Sequence, residues 1–143
     1  MNPEFEKCLK RNKIRKFPRG KILAKKDLKT SQEDLKVAEE SFISKKYKWS
    51  TIQAYYSLFH SARALLFARN YREKSHYALI VAIKALYVEQ RLLPVSVIDM
   101  LWKGKRLRED ADYYDRWSEE GADFALKSAK KFLKITENLI KAK

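Results

Sequence analysis

Glycine and proline number only three each in 143 residues. That is too few for a turn-rich all-β fold and suits long helices with short connections. The glycines are scattered at Gly20, Gly104 and Gly121, so no phosphate-cradling loop of the P-loop or dinucleotide type can be built. The single cysteine, Cys8, excludes an intrachain disulfide and a cysteine metal cage, and points to a reducing, cytoplasmic setting. Histidine is scarce too. Glu73-x-x-His76 matches half of a di-iron bundle site, but Ser57 stands where a glutamate should precede His60, the other histidine. No metal and no other cofactor is expected. No apolar run reaches the ~20 residues that cross a bilayer, and nothing resembles a secretory leader, so no membrane role is expected.

Positive charge is what the chain has in excess. A net charge of +14 attracts polyanions such as nucleic acid, although a Lys-rich, heat-adapted surface would show the same bias. The distribution favours the polyanion, because residues 1–26 carry ten Lys or Arg against Glu4 and Glu6 alone.

The spacing of apolar residues gives an all-α fold, an antiparallel up-and-down bundle of four main helices plus one or two short ones. Residues 1–21 read as a basic N-terminal extension with a short helix from about Glu4 to Lys13. Such an arm either contacts phosphates or simply solubilises the chain. Residues 22–143 form the bundle. Its first helix runs from about Ile22 to Lys45, with Leu28, Leu35, Ala38 and Phe42 on one stripe. The second is set to begin at a Ser50/Gln53 capping box stapled by Trp49, burying Ile52, Tyr55, Phe59, Ala62 and Leu66. A third is capped by Ser75, which puts His76 in its first turn, and stops at Leu93-Pro94. A shorter helix is expected from a Ser96/Asp99 capping pair to about Leu107, weakened at Gly104. The stretch RLREDADYYDRWSEEG reads as a long loop or frayed helix, and Ser118 opens a last helix to about Ile140.

His60 falls on the buried side of its helix, where a core histidine bonded to a neighbour is the expectation. His76 lies in a polar stretch with no apolar role. Histidine exchanges protons near neutral pH, and Arg69, upstream with Asn70, offers a fixed planar cation. Together they suit a phosphodiester: the imidazole moves a proton while the guanidinium steadies charge on the phosphorane oxygens. Arg72 competes for the second role.

The run AYYSLFHSARALLFARNYREKSH, with the distal REDADYYDRWSEEGADFALKSAKKFL, resembles a HEPN domain over about residues 22–140. The family's motif is an arginine, commonly a polar residue after it, and a histidine after four to six intervening residues. Arg69, Asn70 and His76 fit it at the long end. The resemblance implies a helical bundle that usually dimerises, with two such pairs meeting in one cleft. It implies a toxin-like, metal-independent endoribonuclease, in which RNA's 2′-hydroxyl attacks the adjacent phosphate. Arg69, Asn70 and His76 would be the catalytic set. Arg72, Lys74, Tyr113 and position 107 (Leu107) would contact RNA or nucleotide, with Tyr114 and Trp117 as further aromatic candidates. The alternative is a non-catalytic module that binds a nucleotide or a partner minimal nucleotidyltransferase. The tyrosine that some toxin members carry two places after the histidine is Ala78 here.

Overall fold

The computed structural model describes residues 2–141. In chain order these form α1 (Pro3–Lys10), β1 (Ile14–Lys16), α2 (Gly20–Ile43), α3 (Tyr47–Phe67), β2 (Tyr71–Glu73), α4 (His76–Ile83) continued by a π-helical turn (Lys84–Val88), α5 (Ser96–Tyr113) and α6 (Glu119–Lys141). The helical bundle expected from the periodicity is the fold. Its central helix is α3, which packs against α2, α5, α6 and α4 and is buried on nearly every side.

Small residues let α2 and α3 approach closely. Ser31 Oγ lies 2.7 Å from both the Ser57 carbonyl oxygen and Ser61 Oγ, and the Ser57 hydroxyl donates back to the Ser31 carbonyl at 2.9 Å. Each buried hydroxyl is thereby satisfied, as a buried polar group must be. Gly20 makes a second close approach. A Cβ there would lie 2.4 Å from the Phe67 carbonyl oxygen, so only glycine lets the start of α2 meet the end of α3.

The chain leaves α3 through Asn70, a left-handed residue (φ 59°), and β2 carries it back along α3. Helix α4 therefore starts beside the middle of α3, at Tyr55 and Phe59, and ends beside its last turns, where the Tyr87 hydroxyl donates to the Leu65 carbonyl. These contacts make α3 and α4 parallel neighbours, joined by a returning strand.

The basic N-terminal segment is part of this arrangement. The Asn2 side chain caps α1 by accepting from the Phe5 N–H at 3.0 Å, Phe5 meets Tyr71 edge to face, and β1 pairs antiparallel with β2, setting Ile14 opposite Glu73. Ile14 is fully buried. Charge alone reads as a solvated arm, but Phe5, Cys8 and Ile14 supply the apolar face that docks it. Burial pushes the Cys8 thiol above its ordinary pKa, which keeps it protonated and unreactive.

Three expectations about helix ends need correction. Helix α3 begins at Tyr47, and Ser50 lies inside it with its hydroxyl donated across to the Ala38 carbonyl (2.8 Å), while Gln53 accepts from Ser41. Ser96 is likewise the first helical residue of α5 and makes no cap. Helix α5 runs on to Tyr113, past the end expected near Leu107 and into the polar stretch read as a long loop or frayed helix, supported by Lys105–Glu109 and Arg108–Asp112 pairs four residues apart. The other caps are as expected. Ser75 accepts from the Ala78 N–H, and Ser118 from the Gly121 N–H.

Candidate active site around His76

His76 opens α4, where Ser75 takes the first free backbone donors, and its imidazole lies against α3. Its Nδ1 is 2.5 Å from the Tyr55 hydroxyl, its ring is stacked on Tyr55 (interplanar angle 16°), and Phe59 lies 4.7 Å away, centroid to centroid. The ring is half-buried, neither sealed nor free to rotate. The two neutral tautomers place opposite capabilities on Nε2. With the phenol donating to Nδ1, Nε2 carries the proton and can give it up. With Nδ1 donating to the phenolic oxygen, Nε2 is a base. Burial pushes the His76 pKa below its ordinary 6.5, Arg108 and Lys105 push the same way, and Glu73 and Glu109 oppose them. The ring is thus neutral at neutral pH. Burial also raises the Tyr55 phenol well above its ordinary value, so it remains a hydrogen-bonding hydroxyl and not a phenolate.

Helix α5 brings positive charge to this spot because Gly104 lets it lie on Tyr55. A Cβ at Gly104 would come within 3.3 Å of Tyr55 Cδ1 and 2.9 Å of Leu58 Cδ1. One turn further on, the Arg108 guanidinium donates to the Tyr56 hydroxyl at 2.9 Å, pairs with Asp112 at 3.3 Å, and lies between the rings of Tyr56 and Tyr113. Its Nε–H is buried with no partner. Lys105 stands on the same face, beside a depression of about 360 Å³ that it lines with Trp102, Arg106 and Glu109. Tyr77, the residue after His76, packs 6.1 Å from Trp102.

Arg69 and Asn70 go elsewhere. The Arg69 guanidinium lies over the Tyr87 ring at 4.8 Å, eleven residues beyond His76 along the same helix, a rise of roughly 16 Å. Arg69 and Asn70 line a separate cavity of about 710 Å³ with Lys21, Lys25 and Leu28. Asn70 has a local task there, since its Oδ1 accepts from the Lys21 N–H and its carbonyl from the Phe17 N–H. Six intervening residues place an arginine near a histidine only if the chain between them folds back locally, and β2 instead carries it away. Arg72 lies over Phe17 and faces Arg15 across the strand pair. Lys74 is exposed, with its N–H donated to the Lys13 carbonyl, and Tyr113 is exposed beside Arg108. Leu107 itself has no charge to offer a phosphate; of the arginines on either side of it, Arg108 is the one whose charge helps lower the His76 pKa, while Arg106 lines the depression.

Periodicity did not single out Arg63, which fixes β2 beneath the site. Its Nε and Nη2 both donate to Glu73 Oε2, at 3.0 and 2.7 Å, while Asp27 stands 4.0 Å away. The Glu73 side chain is only 2% exposed and its second oxygen is buried without a partner. Burial raises the Asp27 carboxyl pKa against the pull of Arg63 and His60. His60 has the neighbour expected of it, Asp34 Oδ2 at 2.8 Å. An arginine and a glutamate ten residues apart leave no pattern in sequence. Their pairing follows from the strand's return. Among the described residues no group of His, Cys, Asp and Glu could hold a metal ion, and no helix is long and apolar enough to cross a membrane.

Comparison with known proteins agrees with this architecture. The family model described as HEPN domain matches residues 24–139. The Methanocaldococcus jannaschii protein named "Putative toxin MJ0605" is 30% identical over 115 residues, covering 80% of this chain and 86% of that protein. A second protein of that organism, "Putative toxin MJ0142", is 24% identical over 119 residues, covering 81% and 80%. With a family match across the whole bundle and a helical fold to carry it, the chain belongs to the HEPN domain family.

Proposed function

We propose that this protein is a toxin-like, metal-independent endoribonuclease in which His76 moves the proton, working in the cytoplasm as a homodimer. The observation that carries the reading is His76 itself. It is a half-buried, neutral imidazole, fixed through Nδ1 by Tyr55, in a neighbourhood that α5 makes positive. The O2′ of RNA gives its proton to Nε2 as the O2′–P bond forms. The P–O5′ bond then breaks and O5′ takes a proton from solvent, leaving a cyclic phosphate and a 5′-hydroxyl. General base catalysis of this kind contributes about 10²- to 10⁴-fold. A net charge of +14 supports the substrate class, since the enzyme must first hold a polyanion. The names of the two relatives support the toxin-like part.

Labelled RNA incubated with excess EDTA tests the reading. Cleavage is expected in the parent protein and is expected to fall at least a hundredfold in His76→Gln. A chain that binds RNA without cutting it, unchanged by His76→Gln, would leave the non-catalytic module that binds a nucleotide or a nucleotidyltransferase.

A further inference from the structure

The HEPN spacing names Arg69 as the cation that serves His76, and the fold gives that place to a different helix. We propose that Arg108, with Lys105 on the same face of α5, is the positive charge of the His76 site, and that the scissile phosphate lies between the imidazole and these two side chains. The inference rests on the His76 reading and deepens it.

Four observations meet here. Gly104 seats α5 directly on Tyr55, the residue that holds His76. Lys105 and Arg108 follow it at helical positions one turn apart, so both project from one face. Arg108 is held in place, with a side chain only 14% exposed, by the Tyr56 hydroxyl and Asp112, yet its Nε–H is unpartnered. An orphaned buried donor costs about 1–3 kcal/mol, which an incoming phosphate oxygen would relieve. The neighbouring depression, with Trp102 in its wall, offers an aromatic face for a flanking base. Arg69 has none of these relations to His76. Its guanidinium is spent on Tyr87, at the other end of α4.

The arrangement gives Arg108 two effects. Its charge stabilises the dianionic phosphorane as the O2′–P bond forms. It also disfavours protonation of His76 before substrate arrives, together with Lys105 and against Glu109 on α5 and Glu73 on β2; Tyr55 on α3 is the uncharged partner. The phosphate then neutralises both cations and returns basicity to the imidazole at the moment it must accept a proton.

The test combines cleavage in EDTA with an NMR titration of the His76 ring. Arg108→Gln is expected to lower kcat about a hundredfold and Lys105→Gln roughly tenfold. Arg108→Lys should recover part of the loss, and Arg69→Gln should stay within about twofold of the parent. In free protein, Arg108→Gln and Lys105→Gln should each raise the His76 pKa while the charge-keeping Arg108→Lys should not, whereas a loosened, less buried site would raise it whichever residue stands at 108. Lys105, only partly buried, keeps the test open should Arg108 variants fold poorly. Cleavage that is lost in Arg69→Gln and kept in Lys105→Gln and Arg108→Gln would overturn the proposal. So would a His76 titration that ignores both α5 variants. If His76→Gln leaves cleavage intact, the reaction reading fails by itself, while the titration still decides whether α5 charges face this ring.

Discussion

At the scale of single residues, the most informative contact is the one between Tyr55 and His76. It fixes which nitrogen faces outward and ties the imidazole to the core helix. Tyr55→Phe keeps the packing and removes the hydroxyl. It should lower kcat roughly tenfold with little change in KM, as steady-state cleavage kinetics would show. The same imidazole makes stability depend on pH. Its folded pKa lies below the 6.5 of the unfolded chain, so above 6.5 both states are neutral and it contributes nothing. As pH falls below 6.5 the unfolded state takes up the proton first, and stability is lost until the folded ring titrates as well. Thermal unfolding followed from pH 7.5 to 4.5 should show this decline, and His76→Gln should flatten that part of it. The Arg63–Glu73 pair makes a residue-scale case of another kind. Arg63→Met leaves a buried carboxylate without its cation and should cost about 3–5 kcal/mol. The double change Arg63→Met with Glu73→Leu should recover much of that loss in urea melts.

At the scale of elements, α5 and α2 are both placed by a glycine that sits against another helix. Gly20→Ala drives a Cβ into a backbone carbonyl that cannot move aside. We expect a loss of about 3 kcal/mol, and calorimetry should record a Tm lower by roughly 10 °C. Gly104→Ala meets the flexible tip of Leu58 and the edge of Tyr55, so its effect on stability should be smaller and its effect on cleavage larger. The helices themselves were legible in the sequence, because Leu28, Tyr55, Leu66 and Phe132 recur at the spacing of a buried face. Their starts were less so. Ser50 and Ser96 have the chemistry of a cap, but Ser50 spends its hydroxyl on a neighbouring helix. A sequence pattern does not distinguish a serine that ends a helix from one that lets two helices touch. The polar run of α5 misled for a related reason, since a helix that exposes most of its surface shows little apolar period. What the sequence could say of the site was limited by topology. His76 stood out on its own chemistry, whereas its partners Tyr55, Lys105 and Arg108 come from elements far apart in the chain.

At the scale of the molecule, 32 basic residues against 18 acidic ones make a field that acts before any contact is made. RNA binding should therefore weaken steeply with salt. A plot of log affinity against log salt should have a slope of several units, about 0.7 for each phosphate neutralised on a single strand. Lys7→Gln, Arg11→Gln and Lys13→Gln together, in a segment that packs through its apolar face, should reduce that slope without unfolding the bundle.

The pairing of β1 with β2 also bears on how the protein comes into being. One edge of this two-stranded ladder is made early in synthesis and the other only after two long helices have followed. The early strand has nothing to zip onto until Glu73 is available, and by then the α2–α3 hairpin can already have formed from local contacts. Closure of the ladder and seating of His76 thus belong to a single late event of assembly. A nascent chain halted before β2 would already carry 17 basic residues against 7 acidic ones, most of the finished protein's positive excess, and none of its chemistry.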